Sequence, residues 1–113
     1  MNWLQLKKLG RELPDVEEGT SYRTPALQVR GKSFVRLKED GESVVFFVED
    51  LDERDLLLRT RPDVYFITDH YRGYPAVLAR LAKLTAAECR ARLAMAWRKK
   101  APPALLKRFD AGR

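Results

Sequence analysis

The sequence predicts an α+β domain in two layers, an antiparallel sheet packed against helices, and three observations carry that expectation. Three short apolar runs, TPALQV, SFVRLK and SVVFFVE, follow one another across glycine-bearing turns. Segments with helical spacing and capping signals stand on either side of them. At 113 residues the chain can bury one core and is too short for a second, so residues 1–113 form a single domain. Antiparallel strands bracketed by helices assemble into two layers because each sheet face and each helix stripe must be covered.

Trp3, Leu6, Leu9 and Leu13 recur at spacings of three, three and four with Lys7, Lys8 and Arg11 between them, which predicts an amphipathic helix stopped by Pro14. The polar stretch DVEEGTS reads as an acidic loop. The three apolar runs then form a meander, with Arg30-Gly31-Lys32 and Glu39-Asp40-Gly41-Glu42 as its turns, glycine supplying the positive φ. Asp50 with Glu53 three residues on starts a short helix through LDERDLLLRT, which Pro62 ends. VYFIT reads as a strand. PAVLARLAKL is ambiguous: Val77, Leu81 and Leu84 fit a helical stripe, and Ala and Leu favour helix. Thr85 and Glu88 form a second capping pattern that opens a helix over roughly 86–100, with Cys89, Leu93, Ala96 and Trp97 on one stripe. PPALLKRF closes the chain as a short helix with proline where a first turn tolerates it. The order is helix, three-stranded meander, helix, one or two strands, helix, helix.

Charge is unevenly divided. Residues 1–79 hold 12 Lys/Arg against 14 Asp/Glu, whereas residues 80–113 hold 10 against Glu88 and Asp110, so the last third carries a balance of +8. Clustered cations attract polyanions. Nucleic acid is the first expected partner and an anionic membrane surface the second. The opening residues MNWLQLKKLG lack the apolar run of a signal peptide, which together with a single cysteine predicts a cytoplasmic protein. No stretch approaches the roughly 18 to 20 apolar residues that span a bilayer, and no membrane partner is assigned.

The strings LPDVEEGTSYRTPALQVRGKSFVRL, TDHYRGYPAVLARL and AWRKKAP, in that order over almost the whole chain, resemble the MmcQ/YjbR family. The resemblance implies a CyaY-like, frataxin-like α+β fold described as a double wing, with a DNA-binding label. It implies that PAVLARL is a strand, giving the order α-β-β-β-α-β-β-α-α and placing HYRGYP between two adjacent strands. Where many relatives have glycine after the SY, this chain has Arg23.

The chemistry available is narrow. One histidine and one cysteine cannot build a four-ligand zinc site, and Cys89 on an apolar stripe reads as an inert buried thiol. The first helix is basic, with Glu12 its one acid, unlike the acidic ridge of iron-handling frataxin-like folds. Phosphate loops and nucleophile elbows are lacking. The acids Glu49, Asp50, Asp52, Glu53 and Asp55 are explained by helix capping. No catalytic residue, cofactor or metal is assigned. TDHYRGYP reads first as a turn, in which Arg72-Gly73 bends, Pro75 enters the next strand, Tyr71 and Tyr74 cap the core, and His70 bonds backbone. The alternatives are an anion grip of His70, Arg72 and Tyr74, or a general base, His70, oriented by Asp69.

The leading expectation is a non-enzymatic module that binds double-stranded DNA weakly and with little sequence preference. Its candidate contacts are the hairpin cations Arg30, Lys32, Arg36 and Lys38 and the C-terminal cations Arg98, Lys99, Lys100, Lys107 and Arg108. Trp97 shares the stripe of Cys89 and Leu93 and is expected to be buried rather than to stack on a base. The alternative is an adaptor domain whose sheet face or helix pair binds a protein partner or an anionic small molecule. The sequence assigns no oligomeric state.

Overall fold

The computed structural model describes residues 1–112, and among them six strands form one antiparallel sheet. The elements follow as α1 (Trp3–Gly10), β1 (Val16–Ser21), β2 (Thr24–Val29), β3 (Lys32–Leu37), β4 (Ser43–Phe47), α2 (Leu51–Thr60), β5 (Tyr65–Phe66), β6 (Ala76–Arg80), α3 (Ala86–Lys100) and α4 (Pro103–Ala111). The strand order across the sheet is β1-β2-β3-β4-β6-β5, so β6 inserts between β4 and β5. The expected α+β class holds.

The helix starts are built as the sequence implies. Asp50 accepts the Glu53 amide at 2.8 Å, and Thr85 accepts the Glu88 amide at 3.1 Å. A third cap, unforeseen, closes α1: Asn2 accepts the Gln5 amide at 2.8 Å while the Gln5 side chain accepts the Asn2 amide at 3.0 Å. Each such cap satisfies backbone donors that the first turn leaves without partners.

One element departs from expectation. The stretch read as an acidic loop is the edge strand β1, paired with β2 from Val16↔Val29 to Ser21↔Thr24. Its hairpin turns on Tyr22 and Arg23, both with positive φ (51° and 69°), the conformation that a tight two-residue turn requires. Acidic residues hide such a strand from propensity. At a sheet edge they are tolerated, because one side needs no partner and charge discourages pairing with other chains. The ambiguous PAVLARL is a strand, as the resemblance implied, with Tyr65↔Ala79 and Phe66↔Leu78 on one side and Ser43↔Arg80 to Phe47↔Ala76 on the other. It ends sooner than the apolar run does, in a 3₁₀ turn over Leu81–Lys83.

The core lies between the sheet and α1 and α3. Leu6, Leu27, Phe46, Leu93, Ala96 and Trp97 are among its fully buried members. Trp97 donates to the Pro14 carbonyl at 3.0 Å and packs on Phe109 at 5.0 Å, so it is closed off from a base. Gly10 lets α1 approach β2: a Cβ there would collide with the Leu27 side chain. A bulge in β3 shapes the other face. Ala26↔Arg36 and Leu27↔Val35 are in register, but Gln28 pairs with Ser33, leaving Phe34 as the extra residue. Phe34 and Val35 therefore both enter the helix-side core, while Arg36 stands opposite Ala26. On that second face a small cluster of Val45, Tyr71, Ala76 and Leu78 gathers with Phe47 and Phe66 against it. No helix among the described residues is long and apolar enough to cross a membrane.

Candidate functional site

The segment between β5 and β6 is held as architecture. Thr68 and Asp69 carbonyls accept the Tyr71 and Arg72 amides at 2.9 and 3.2 Å, forming a 3₁₀ turn, and Tyr74 and Ala76 amides close the bends that follow. Arg54 of α2, almost fully buried, donates from Nη1 to the carbonyls of Tyr71, Arg72 and Tyr74 at 3.2, 2.7 and 3.3 Å. One guanidinium thus gathers the turn. Asp69 is bound by Arg72 at 2.5 Å, with both side chains largely exposed. His70 is exposed and touches Tyr71 edge-on at 4.9 Å and Tyr74 in a stack at 6.3 Å. Among the described residues it makes no hydrogen bond, so the expected bond from His70 to backbone is not formed. The expected grip is divided: His70 and Tyr74 line a cleft on the open sheet face, and Arg72 does not.

The cation at that cleft is Arg36. Expected as a hairpin cation, it is 8% exposed and lies on the sheet face. Its Nη2 donates to the Tyr71 hydroxyl at 2.6 Å and its Nη1 to Thr24 Oγ1 at 3.2 Å and the Leu37 carbonyl at 3.5 Å. The ring of Tyr22, exposed at the β1–β2 turn, covers it at 5.1 Å. The bulge explains the placement: the alternation that puts Val35 and Leu37 toward the helices turns Arg36 to the other side. The cleft measures about 210 Å³, and Tyr22, Ser33, Arg36, Phe47, Tyr71 and Tyr74 are among its walls.

The remaining candidate cations separate into three places. Lys38 sits on the cleft side, 3.4 Å from Glu39 and 5.7 Å from the Tyr71 ring centre. Arg30, in the β2–β3 turn with φ 50°, is paired with Asp15 at 2.6 Å. Lys32 is exposed; partial burial holds the Lys100 ammonium below the ordinary lysine range, and the charges of Lys99 and Lys32 add to it. Lys100 lies 4.0 Å over the Phe47 ring, and Lys99 donates to the Glu49 carbonyl at 2.8 Å. The β2–β3 hairpin and the end of α3 therefore bring cations to one end of the sheet. Arg98 is bound by Asp110 of α4 and stacks over Phe109 at 5.4 Å, while Lys107 and Arg108 are exposed on α4.

Among the described residues, no three His, Cys, Asp or Glu side chains gather as metal ligands. Cys89 is fully buried, and burial pushes its thiol up to about 11. Tyr22, Arg54 and Ser33 escaped the sequence reading. Arg54 carries no local signal, because the carbonyls it binds lie 17 to 20 residues away.

A family model described as YjbR matches residues 11–99. The matched span contains every cleft residue named above and Arg54, and stops short of Lys100, Lys107 and Arg108. Uncharacterized proteins of Mycobacterium bovis and of two strains of Mycobacterium tuberculosis are each 38% identical over 69 residues, covering 61% of this chain and 54% of theirs. The chain spans about half the length of these curated relatives.

Proposed function

The chain belongs to the YjbR family, and from that premise we propose that it is a non-enzymatic module that binds double-stranded DNA weakly, reading phosphates rather than bases. One observation carries the reading: Lys32 from a hairpin and Lys99 and Lys100 from α3 come to one end of the sheet, where Lys99 reaches the Glu49 carbonyl and Lys100 lies over the Phe47 ring, three like charges that repel one another. A phosphate backbone relieves that repulsion, and counterions released from DNA add to the attraction. Exposed Lys107 and Arg108 on α4 extend the surface. In this reading the β2–β3 hairpin and the α3–α4 pair are the two wings. This reading leaves Arg36, buried on the cleft side, and Lys38 beside Tyr71 out of the phosphate surface. A DNA partner calls for a cytoplasmic protein, with which the single reduced thiol is consistent.

About four phosphate contacts give a slope of log affinity against log salt of roughly −3 to −4 on random duplex. Fluorescence anisotropy from about 50 mM salt upward measures it. Replacing Lys32, Lys99 and Lys100 together with Gln should flatten the slope by up to about three contacts, with stability changed by about 1 kcal/mol or less. The reading fails if duplex does not bind at the lowest salt, or if the triple variant keeps the wild-type slope.

A further inference from the structure

The cleft on the open sheet face borders the basic end, since Lys100 lies over the ring of Phe47, one of its walls. We propose that it takes a small planar aromatic monocarboxylate, with the carboxylate on the Arg36 guanidinium and the ring against Phe47 and the tyrosines. Size comes first. An apolar cavity of roughly 150 Å³ holds a benzene ring, and this cleft offers about 210 Å³. The walls suit a flat ring, since Phe47, Tyr71 and Tyr74 line them. Tyr22 and Tyr74 are 77% and 57% exposed, two large aromatics left uncovered beside one concavity.

Charge selects the rest of the ligand. Arg36 is more than nine-tenths buried, and the counter-charge nearest to it is weak: Glu39 stands 3.6 Å away and is 64% exposed on its side chain. A buried guanidinium held by neutral acceptors and a solvated carboxylate is poorly compensated, and a ligand carboxylate brought against it in the water-poor cleft would complete it. Arg36 Nε has no hydrogen-bond partner among the described residues, which leaves a donor for that purpose. On the Arg36 side, Arg36, Lys38 and Glu39 give a balance of +1, which one carboxylate matches, while Lys100 stands over Phe47 at another wall. The Tyr71 hydroxyl accepts from Arg36 and so keeps its own proton to donate to the same carboxylate.

The test is an amide NMR titration of the full chain with benzoate and indole-3-carboxylate, against their methyl esters and phenyl phosphate. The acids should give saturable shifts at Tyr22, Ser33, Arg36, Phe47 and Tyr74, with Kd of about 0.1–1 mM. The esters and the dianion should bind at least about tenfold more weakly, the esters because each leaves the cation without its partner. Arg36→Lys should weaken the acids about tenfold, since an ammonium lacks the fork. Because Arg36 also ties Thr24 to Tyr71, the cleaner variant is Tyr22→Ala, which removes an exposed ring, leaves the floor intact and should cost several-fold in affinity. Any of three results overturns the proposal: no saturation by about 10 mM acid, equal binding of ester and acid, or shifts confined to Lys32, Lys99 and Lys100.

Discussion

Replacing Arg54 with Met should cost about 3–6 kcal/mol, a large share of the roughly 5–15 kcal/mol that holds a small domain together. Its Nη1 carries two protons and faces three carbonyls, so they cannot all be served at full strength. The Arg72 carbonyl at 2.7 Å takes one proton, and the carbonyls at 3.2 and 3.3 Å share the other. Two charge-assisted bonds at about 1.5–3 kcal/mol each give the figure. The Asp55 partner at 3.1 Å is half exposed and adds about 1 kcal/mol or less. Met keeps the apolar stem, so the loss isolates the guanidinium. The carbonyls of Tyr71 and its neighbours must then either stay buried without a donor or be released to water by opening residues 68–75. Opening would carry Tyr71 away from Arg36, and it limits the global loss to the free energy of that local event. Urea unfolding measures the first outcome, and amide exchange at Tyr71, Arg72, Tyr74 and Ala76 the second. Arg54→Lys should recover only part, because a single ammonium reaches fewer of the three carbonyls. A midpoint shift worth less than about 1 kcal/mol, with unchanged exchange in the turn, would refute the assignment of Arg54 as the group that holds it.

Arg23, at φ 69° in the β1–β2 turn, should be improved by glycine: the left-handed conformation costs a side-chain-bearing residue about 1–2 kcal/mol, and the extra freedom of unfolded glycine returns about half. Arg23→Gly should therefore raise Tm by several degrees in a thermal scan, and a fall in Tm would count against the turn geometry. Cys89 should react slowly with a thiol reagent in native protein and quickly in denaturant, and rapid native labelling would contradict its burial. Its folded pKa of about 11 lies above the unfolded value of 9.0, so its contribution is intact below about pH 9 and is lost as pH rises toward 11. Unfolding midpoints at both ends of that window should fall less in Cys89→Ala than in wild type. Tyr65, also raised by burial and by Glu88, adds to the alkaline loss in both proteins.

Where an element announces itself through neighbours in sequence, the sequence is sufficient. The caps at Asp50 and Thr85 are contacts over three residues, and the turn at Arg30-Gly31 is signalled by its glycine, although Arg30 takes a positive φ as well. β1 is concealed because its residues Glu17, Glu18 and Thr20 are polar and exposed, and what makes them a strand is β2 alongside. β6 was ambiguous for a related reason. Buried on both sides between β4 and β5, it reads as a continuous apolar run, which helix and central strand share. Only the likeness to a family decided it, and the pairing with Tyr65 and Phe66 agrees.

The site was less legible than the fold because its residues are assembled by long-range contacts and by one irregularity. Counting cations identifies a basic C-terminal third and gives no means of telling a solvated lysine from a buried arginine. Arg36 and Lys38 look alike in SFVRLK, two cations two positions apart and so on the same side of a strand. The structure nevertheless gives them different work: Arg36 is tied to Tyr71, 35 residues away, and Lys38 is only half-buried beside Glu39. The distinction originates at Phe34, whose insertion shifts the pairing from Gln28↔Ser33 to Leu27↔Val35 and fixes Arg36 opposite Ala26, under Tyr22. A bulge bends its strand and re-aims the side chains that follow it. Here it converts a surface pattern into a buried cation at the floor of an aromatic cleft, so the chemistry of the open face follows from one extra residue in β3 and not from composition.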